Sequence, residues 1–214
     1  MNHTHTIFAP DAIQKGAILP LMEAFYTIQG EGYHQGKAAY FIRLGGCDVG
    51  CHWCDVKESW NANDHPPVAV AEIVRKATKY PARLAVITGG EPLMYNLAPL
   101  TLALHQAGFK INIETSGAHS YNGDIDWICF SPKKFKEPKD EFYHIAHELK
   151  VVIYHHKDFE WAEAHAAQMH NNCQFFLQPE WSKQESMLPN IIEYVKKNPR
   201  WQISLQTHKY MNVP

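Results

Sequence analysis

Tyr40-Phe41-Ile42-Arg43-Leu44-Gly45-Gly46-Cys47-Asp48-Val49-Gly50-Cys51-His52-Trp53-Cys54-Asp55 is the most informative stretch of this chain. Apart from Arg43, its first five residues are aromatic or aliphatic and read as a buried strand. Two glycines end that strand, and cysteines follow at 47, 51 and 54. Three thiolates this close can hold a metal centre, yet no fourth cysteine stands at matching spacing. Cys129 and Cys173 lie far downstream inside apolar runs and read as core residues. A structural zinc site is normally closed by four ligands, and iron–sulfur clusters usually take four thiolates. Three cysteines therefore point to an iron with an open position, where a ligand can do chemistry. Zinc knuckles and loose thiol clusters imitate the spacing, so a structural metal site stays open at this point.

Outward from this stretch, short apolar runs alternate with helix-like segments. Strands are expected at Tyr40–Leu44, Leu84–Thr88, Lys110–Glu114, Trp127–Ser131, Leu149–Tyr154, Gln174–Gln178 and Gln202–Gln206. Helices are expected at Val68–Tyr80, Asn96–Ala107, Asp158–His170 and Glu185–Lys197, where apolar positions recur at helical spacing. Pro99 falls in the first turn of its helix, where a missing N–H costs little. The alternation reads as βαβ units on a parallel sheet, an α/β fold. No internal repeat, low-complexity stretch or linker is visible, so residues 1–214 are expected to form one domain. After the strands come, in turn, the cysteine run, Gly89-Gly90-Glu91-Pro92, Glu114-Thr115-Ser116-Gly117, Ser131-Pro132-Lys133, Gln178-Pro179-Glu180 and Gln206-Thr207-His208-Lys209. Parallel α/β folds place their sites at the carboxyl ends of strands. One large site built from many strand ends is the expectation.

Composition narrows the class. The 214 residues, 45% hydrophobic and 20% charged, are ordinary for a globular chain with one sizeable core. A formal net charge of −2 offers no basic surface for nucleic acid or an anionic membrane. No apolar run approaches the ~18 residues of a membrane-spanning helix. Met1-Asn2-His3-Thr4-His5 lacks the basic region and apolar core of a signal peptide. Five cysteines, odd in number and clustered, do not form a disulfide framework, which points to the reducing cytoplasm. The fourteen histidines are scattered and read as surface and turn residues.

Cys-x3-Cys-x2-Cys directly after a strand, with Gly89-Gly90-Glu91-Pro92 about forty residues on, resembles the radical S-adenosylmethionine (SAM) enzymes. Phe25-Tyr26-Thr27-Ile28-Gln29-Gly30-Glu31-Gly32, Arg43, Asp126-Trp127-Ile128-Cys129-Phe130-Ser131-Pro132-Lys133 and the final Gln206–Pro214 narrow the likeness. Together they resemble the 7-carboxy-7-deazaguanine synthase family of the queuosine and deazapurine pathway, over nearly the whole chain. The resemblance implies a partial, TIM-like β/α barrel and a homodimer. It implies a [4Fe–4S] cluster on Cys47, Cys51 and Cys54, with SAM on the fourth iron. An electron donor such as flavodoxin or ferredoxin would feed the cluster, which cleaves SAM to a 5′-deoxyadenosyl radical. Trp53, Cys54, Asp55, Gly90, Ser131, Pro132, Lys133, Gln178, Pro179, Glu180 and Trp181 would contact SAM. The substrate, 6-carboxy-5,6,7,8-tetrahydropterin, would be held by Ile28, Gln29, Gly30, Arg43 and Thr88. Glu31 and His208 would be further contacts, and Pro214 would contribute a carboxylate. The product would be 7-carboxy-7-deazaguanine, formed with loss of ammonia.

The chemistry of the residues agrees. Arg43 offers a planar donor fork suited to a substrate carboxylate. A pterin presents a flat edge of donors and acceptors, which backbone groups at Gln29-Gly30 are expected to pair. In one place the chain departs from the family: relatives carry a threonine ligand for Mg²⁺ where Val56 stands here. Val56 has no ligand atom, so weakened or absent magnesium dependence is expected, unless Glu58 or Ser59 supplies an oxygen. A glycyl-radical-enzyme activase and a non-catalytic zinc or iron–sulfur protein are the alternatives.

Overall fold

The computed structural model describes residues 10–214. The Met1–His5 run, read above as no signal peptide, lies outside the described residues. Nine strands among them form one sheet: β1 (Ile18–Ile28), β2 (Ala38–Leu44), β3 (Pro67–Ala69), β4 (Leu84–Gly89), β5 (Lys110–Thr115), β6 (Trp127–Phe130), β7 (Glu148–Ile153), β8 (Gln174–Pro179) and β9 (Trp201–Ile203). Their order is β3-β1-β2-β4-β5-β6-β7-β8-β9. From β2 to β9 every neighbouring pair is parallel, while β1 runs antiparallel to both β2 and β3. β3 and β9 sit at opposite ends of that order and do not pair, so the sheet is a partial barrel rather than a closed one.

The helices are α1 (Pro10–Gln14), α2 (Val70–Ala77), α3 (Ala98–Gln106), α4 (Phe142–Ile145), α5 (Lys157–Ala166), α6 (Gln184–Lys197) and α7 (Thr207–Met211). Strand residues alternate in direction, and here the alternation separates apolar from polar. Ile42, Leu44, Ile87, Ile111, Ile113, Leu149 and Val151 are fully buried in a core shared with Ile73 of α2 and Leu100 and Leu104 of α3. The alternate positions Arg43, Thr88, Glu114, Lys150 and Gln178 line an inner cavity. A parallel sheet covered on both faces normally carries apolar runs. This one has traded its inner face for chemistry.

Most boundaries fall within a residue or two of expectation, as helix and strand ends usually do. The short elements α1, β3 and α4 were not anticipated, and two further elements differ in ways that bear on the site. β1 was not anticipated, because Pro20 and a register shift between Leu21 and Glu23 break its alternation. The last strand ends at Ile203, and residues 207–211 form α7 instead of an extended end. Asn212 closes α7 in the left-handed conformation at φ 54°, and the Val213 N–H then turns back to the His208 carbonyl. Pro214 therefore follows a helix, not a strand. The segment 204–214 packs on the β1–β2 connection: Gly32 N–H donates to Ser204 Oγ at 3.0 Å, Thr207 Oγ1 to the Gly30 carbonyl at 2.9 Å, and Thr27 Oγ1 to the Pro214 carbonyl at 3.2 Å. It bridges the opening between β9 and the stretch of β1 beyond its short pairing with β3.

Candidate functional site

A cavity of about 450 Å³ runs through the inside of the sheet, a volume typical of small-molecule sites. One end is built by the loop after β2. Gly46 N–H donates to the Ser59 carbonyl at 2.6 Å and Cys47 N–H to the Trp60 carbonyl at 3.0 Å. Asp48 is held by His119 Nε2 at 2.9 Å and Lys136 Nζ at 2.5 Å. Cys47, Cys51 and Cys54 all face the cavity and none is in a disulfide. Burial pushes the Cys47 and Cys51 thiols up, the latter to about 11, so metal binding here would displace protons. Among the described residues no three Cys, His or carboxylate side chains gather tightly enough to chelate one ion. A single ion draws its thiolates round one point, whereas a cubane cluster takes one thiolate per iron. Three free thiols grouped on one loop beside the cavity are compatible with the second arrangement.

The glycine run after β4 meets this loop backbone to backbone. Gly89 adopts φ +124°, and a Cβ on it would lie 2.2 Å from the Leu44 carbonyl oxygen. A Cβ on Gly90 would lie 2.0 Å from the Gly46 carbonyl oxygen and 3.0 Å from Cys47 Cβ. Only glycine permits this approach. Glu91, which sequence reasoning quoted but gave no role, is buried at the junction. Its carboxylate accepts from Thr115 Oγ1 (2.6 Å), Ser116 N–H (2.8 Å), Ser116 Oγ (2.5 Å) and Leu93 N–H (3.2 Å), tying the ends of β4 and β5 together.

Of the residues expected to contact SAM, Trp53, Cys54, Asp55, Gly90, Ser131, Lys133, Gln178, Pro179, Glu180 and Trp181 line the cavity. Pro132 does not; it faces a smaller neighbouring depression beside His52 and Phe135. Lys133 Nζ curls back onto Ser131, 2.5 Å from its carbonyl and 2.6 Å from Oγ. Val56 and Ser59 also reach the cavity, but Glu58 does not line it. Ser59 Oγ is spent on the Val56 carbonyl at 2.7 Å, and Asp55 Oδ2 is paired with Lys209 Nζ at 3.0 Å. A Mg²⁺ ion here would therefore draw its oxygens from waters and substrate rather than from Val56, Glu58 or Ser59.

All of the residues expected to hold substrate line the same cavity: Ile28, Gln29, Gly30, Glu31, Arg43, Thr88, His208 and Pro214. They do not all sit at the carboxyl ends of the parallel strands. β1 is antiparallel, so it delivers Gln29–Glu31 to the amino end of β2, opposite the cysteine loop. Arg43 Nε donates to Glu23 Oε1 at 2.7 Å, leaving the terminal nitrogens of the fork for the cavity. The Gln29-Gly30 backbone is mostly spent. Gln29 N–H donates to the Lys37 carbonyl, the Gln29 carbonyl accepts from Gly36, and the Gly30 carbonyl accepts twice from Thr207. Beside it stand Glu114 and Gln206, quoted above among the strand ends but given no role, and Lys150, which sequence reasoning missed. Lys150 is buried and bonds Glu31 Oε2 at 2.6 Å and Glu114 Oε2 at 2.8 Å. Gln206 Nε2 donates to Glu31 Oε1 at 2.9 Å and Gln29 Nε2 to Glu114 Oε1 at 3.2 Å. Burial works to raise the Glu31 carboxyl, but Lys150, Gln206 and His208 outweigh it and hold it at about 2. Burial also works against the Lys150 ammonium, which the surrounding anionic groups nonetheless hold well above its usual range. The signal for Lys150 was its place inside the apolar run Leu149-Lys150-Val151-Val152, where an unpaired charge would be costly.

A partial parallel barrel with three free cysteines after one strand and a glycine turn pressed against them after the next defines a radical SAM enzyme. The profile of the Radical SAM superfamily matches residues 41–146. The 7-carboxy-7-deazaguanine synthase of Flavobacterium psychrophilum is 60% identical over 203 residues, covering 95% of this chain and 96% of that one. That of Synechocystis sp. is 46% identical over 194 residues, with 91% and 93% covered. The crystal structure of QueE from Escherichia coli superposes with a TM-score of 0.77 at 31% identity, covering 90% of this chain and 96% of that one. The chain belongs to the 7-carboxy-7-deazaguanine synthase family. Neither the activase nor the structural-metal alternative survives that membership.

Proposed function

We propose that this chain converts 6-carboxy-5,6,7,8-tetrahydropterin to 7-carboxy-7-deazaguanine with loss of ammonia, a rearrangement that is redox neutral overall. The observation that carries this reading is a single cavity shared by three free cysteines, an arginine fork and an ion-paired carboxylate set. Cys47, Cys51 and Cys54 would hold the [4Fe–4S] cluster, with SAM along Trp53–Asp55, Gly90, Ser131, Lys133 and Gln178–Trp181. When bound, cluster and SAM supply a carbon-centred radical able to abstract hydrogen from the pterin ring. The chain aims that chemistry. Arg43 takes the substrate carboxylate on its free nitrogens, while Glu23 on the neighbouring strand fixes the plane of the fork. Thr88 and His208 flank the ring, and the Gly30–Thr207 contact keeps bulk water from the far end. We further propose a cytoplasmic homodimer reduced by flavodoxin or ferredoxin. No helix among the described residues is long and apolar enough to cross a membrane.

Anaerobic assay of the reconstituted protein with SAM, a reductant and the carboxytetrahydropterin should yield the deazaguanine product. A SAM-responsive cluster without product would discard the substrate and leave the radical chemistry standing. Because Val56 offers no ligand and Asp55 already pairs with Lys209, omitting Mg²⁺ from that assay should change turnover by no more than about threefold, under 1 kcal/mol. A large loss on omission would refute this part of the reading.

A further inference from the structure

The buried set Glu31–Lys150–Glu114 has more hydrogen-bonding capacity than its internal contacts use. Each ionised carboxylate oxygen accepts one named bond, from Lys150, Gln206 or Gln29, and retains a further lone pair. Lys150 carries three N–H donors, two of which go to the two glutamates. All three side chains line the cavity. One ammonium between two carboxylates leaves an anionic surplus. Of the charged groups around it, burial raises the Glu148 carboxyl and the Cys129 thiol and lowers the His208 and Lys133 cations.

The pattern this set presents is acceptor, acceptor, donor: carboxylate lone pairs beside one remaining ammonium hydrogen. The 2-amino-4-oxo pyrimidine edge of a pterin presents the complement, two donors at the 2-amino group and N3–H and one acceptor at O4. We propose that Lys150 is a positioning and specificity residue, which orients Glu31 and Glu114 to read the 2-amino-4-oxo edge and rejects rings bearing a 2-oxo group. This inference rests on the pterin reading given above and names the side chains that execute it. It also accounts for the spent backbone at Gln29-Gly30: the turn shapes the wall, and the side chains behind it do the reading. A merely structural role for Lys150, neutralising two buried carboxylates, predicts no preference between ring edges.

The test compares binding of 6-carboxypterin and its 2-oxo counterpart, 6-carboxylumazine, to anaerobic, SAM-loaded enzyme by fluorescence quenching. Wild-type protein is expected to favour the pterin by roughly 100-fold, since an unmatched bond to a charged group in a buried site costs about that factor. Lys150→Met is expected to weaken pterin binding by a similar factor and to bring the two ligands within a few-fold of each other. The SAM-induced change in the cluster's EPR spectrum should be unaltered, which shows that the cofactor end is intact. Removing Lys150 alone strands two buried carboxylates, so the double variant Lys150→Met/Glu114→Gln, which removes one charge of each sign, serves if the single variant does not fold. It should show the same loss of discrimination. Pterin affinity and preference unchanged in either variant would overturn the inference while leaving the proposed reaction intact. A wild-type protein that binds neither ligand, with its SAM-responsive cluster present, would overturn both.

Discussion

Gly90→Ala is expected to lower turnover by roughly 100-fold or more while leaving the fold in place. The new methyl group would sit 2.0 Å from the Gly46 carbonyl oxygen, inside the contact distance of any real Cβ. Neither side can yield by rotating a side chain, because both are backbone. The loop after β2 and the turn after β4 must therefore separate by about an ångström, and misplacement on that scale costs about two orders of magnitude in an aligned site. Gly90 N–H would also lose its 2.9 Å bond to the Leu44 carbonyl, and Glu91 N–H its bond to Gly46. The check is turnover together with the EPR response to SAM: both should fail, with far-ultraviolet circular dichroism unchanged. Gly36→Ala is the control, since nothing lies within 4 Å of a Cβ there. Its φ of +85° should cost stability of about 1–2 kcal/mol and no catalysis. Normal turnover in Gly90→Ala would mean that the two loops are not held as tightly as their contact requires.

Arg43→Lys should lower kcat/KM for the pterin by roughly 100-fold, mainly through KM. Lysine keeps the charge but not the planar pair of nitrogens that meets a carboxylate on two points. It also cannot donate to Glu23 while reaching into the cavity. Glu23→Gln should change kcat/KM by less than about fivefold, because an exposed ion pair of this kind contributes ~0–1 kcal/mol. Slow reductive cleavage of SAM in the absence of substrate should be the same in both variants and the wild type. An unaltered KM in Arg43→Lys would show that the substrate carboxylate is held elsewhere.

The parallel strands were legible because their outward faces are predominantly apolar, and the turns after several of them carry glycine and proline. The cysteine loop and the glycine run were legible because their chemistry is confined to a few adjacent residues. β1 was hidden by Pro20 and by its bulge, which remove the period on which strand assignment depends. α7 is only five residues long and held by tertiary contacts, so its local sequence carries little helical signal. Lys150 was obscured for another reason. Alternating charge in a strand ordinarily marks a face turned to water, and only curvature of the sheet turns that face onto a cavity. The entry of Gln29–Glu31 at the amino end of β2 followed from β1 running antiparallel, which no single motif announces.

The bridge between 204–214 and the β1–β2 connection also sets an order of events during synthesis. The cysteine loop and the glycine turn that backs it are neighbours in sequence, joined by bonds such as Gly90 N–H to the Leu44 carbonyl. The bonds that wall the opposite end span 172, 177 and 187 residues. Contacts of such range form late, after the loop-closure entropy between them has been overcome. A nascent chain therefore displays its three clustered thiols long before the pocket around them can shut. That interval is when oxidants reach them most easily, so an iron–sulfur cluster taken up on them at that stage would also shield them.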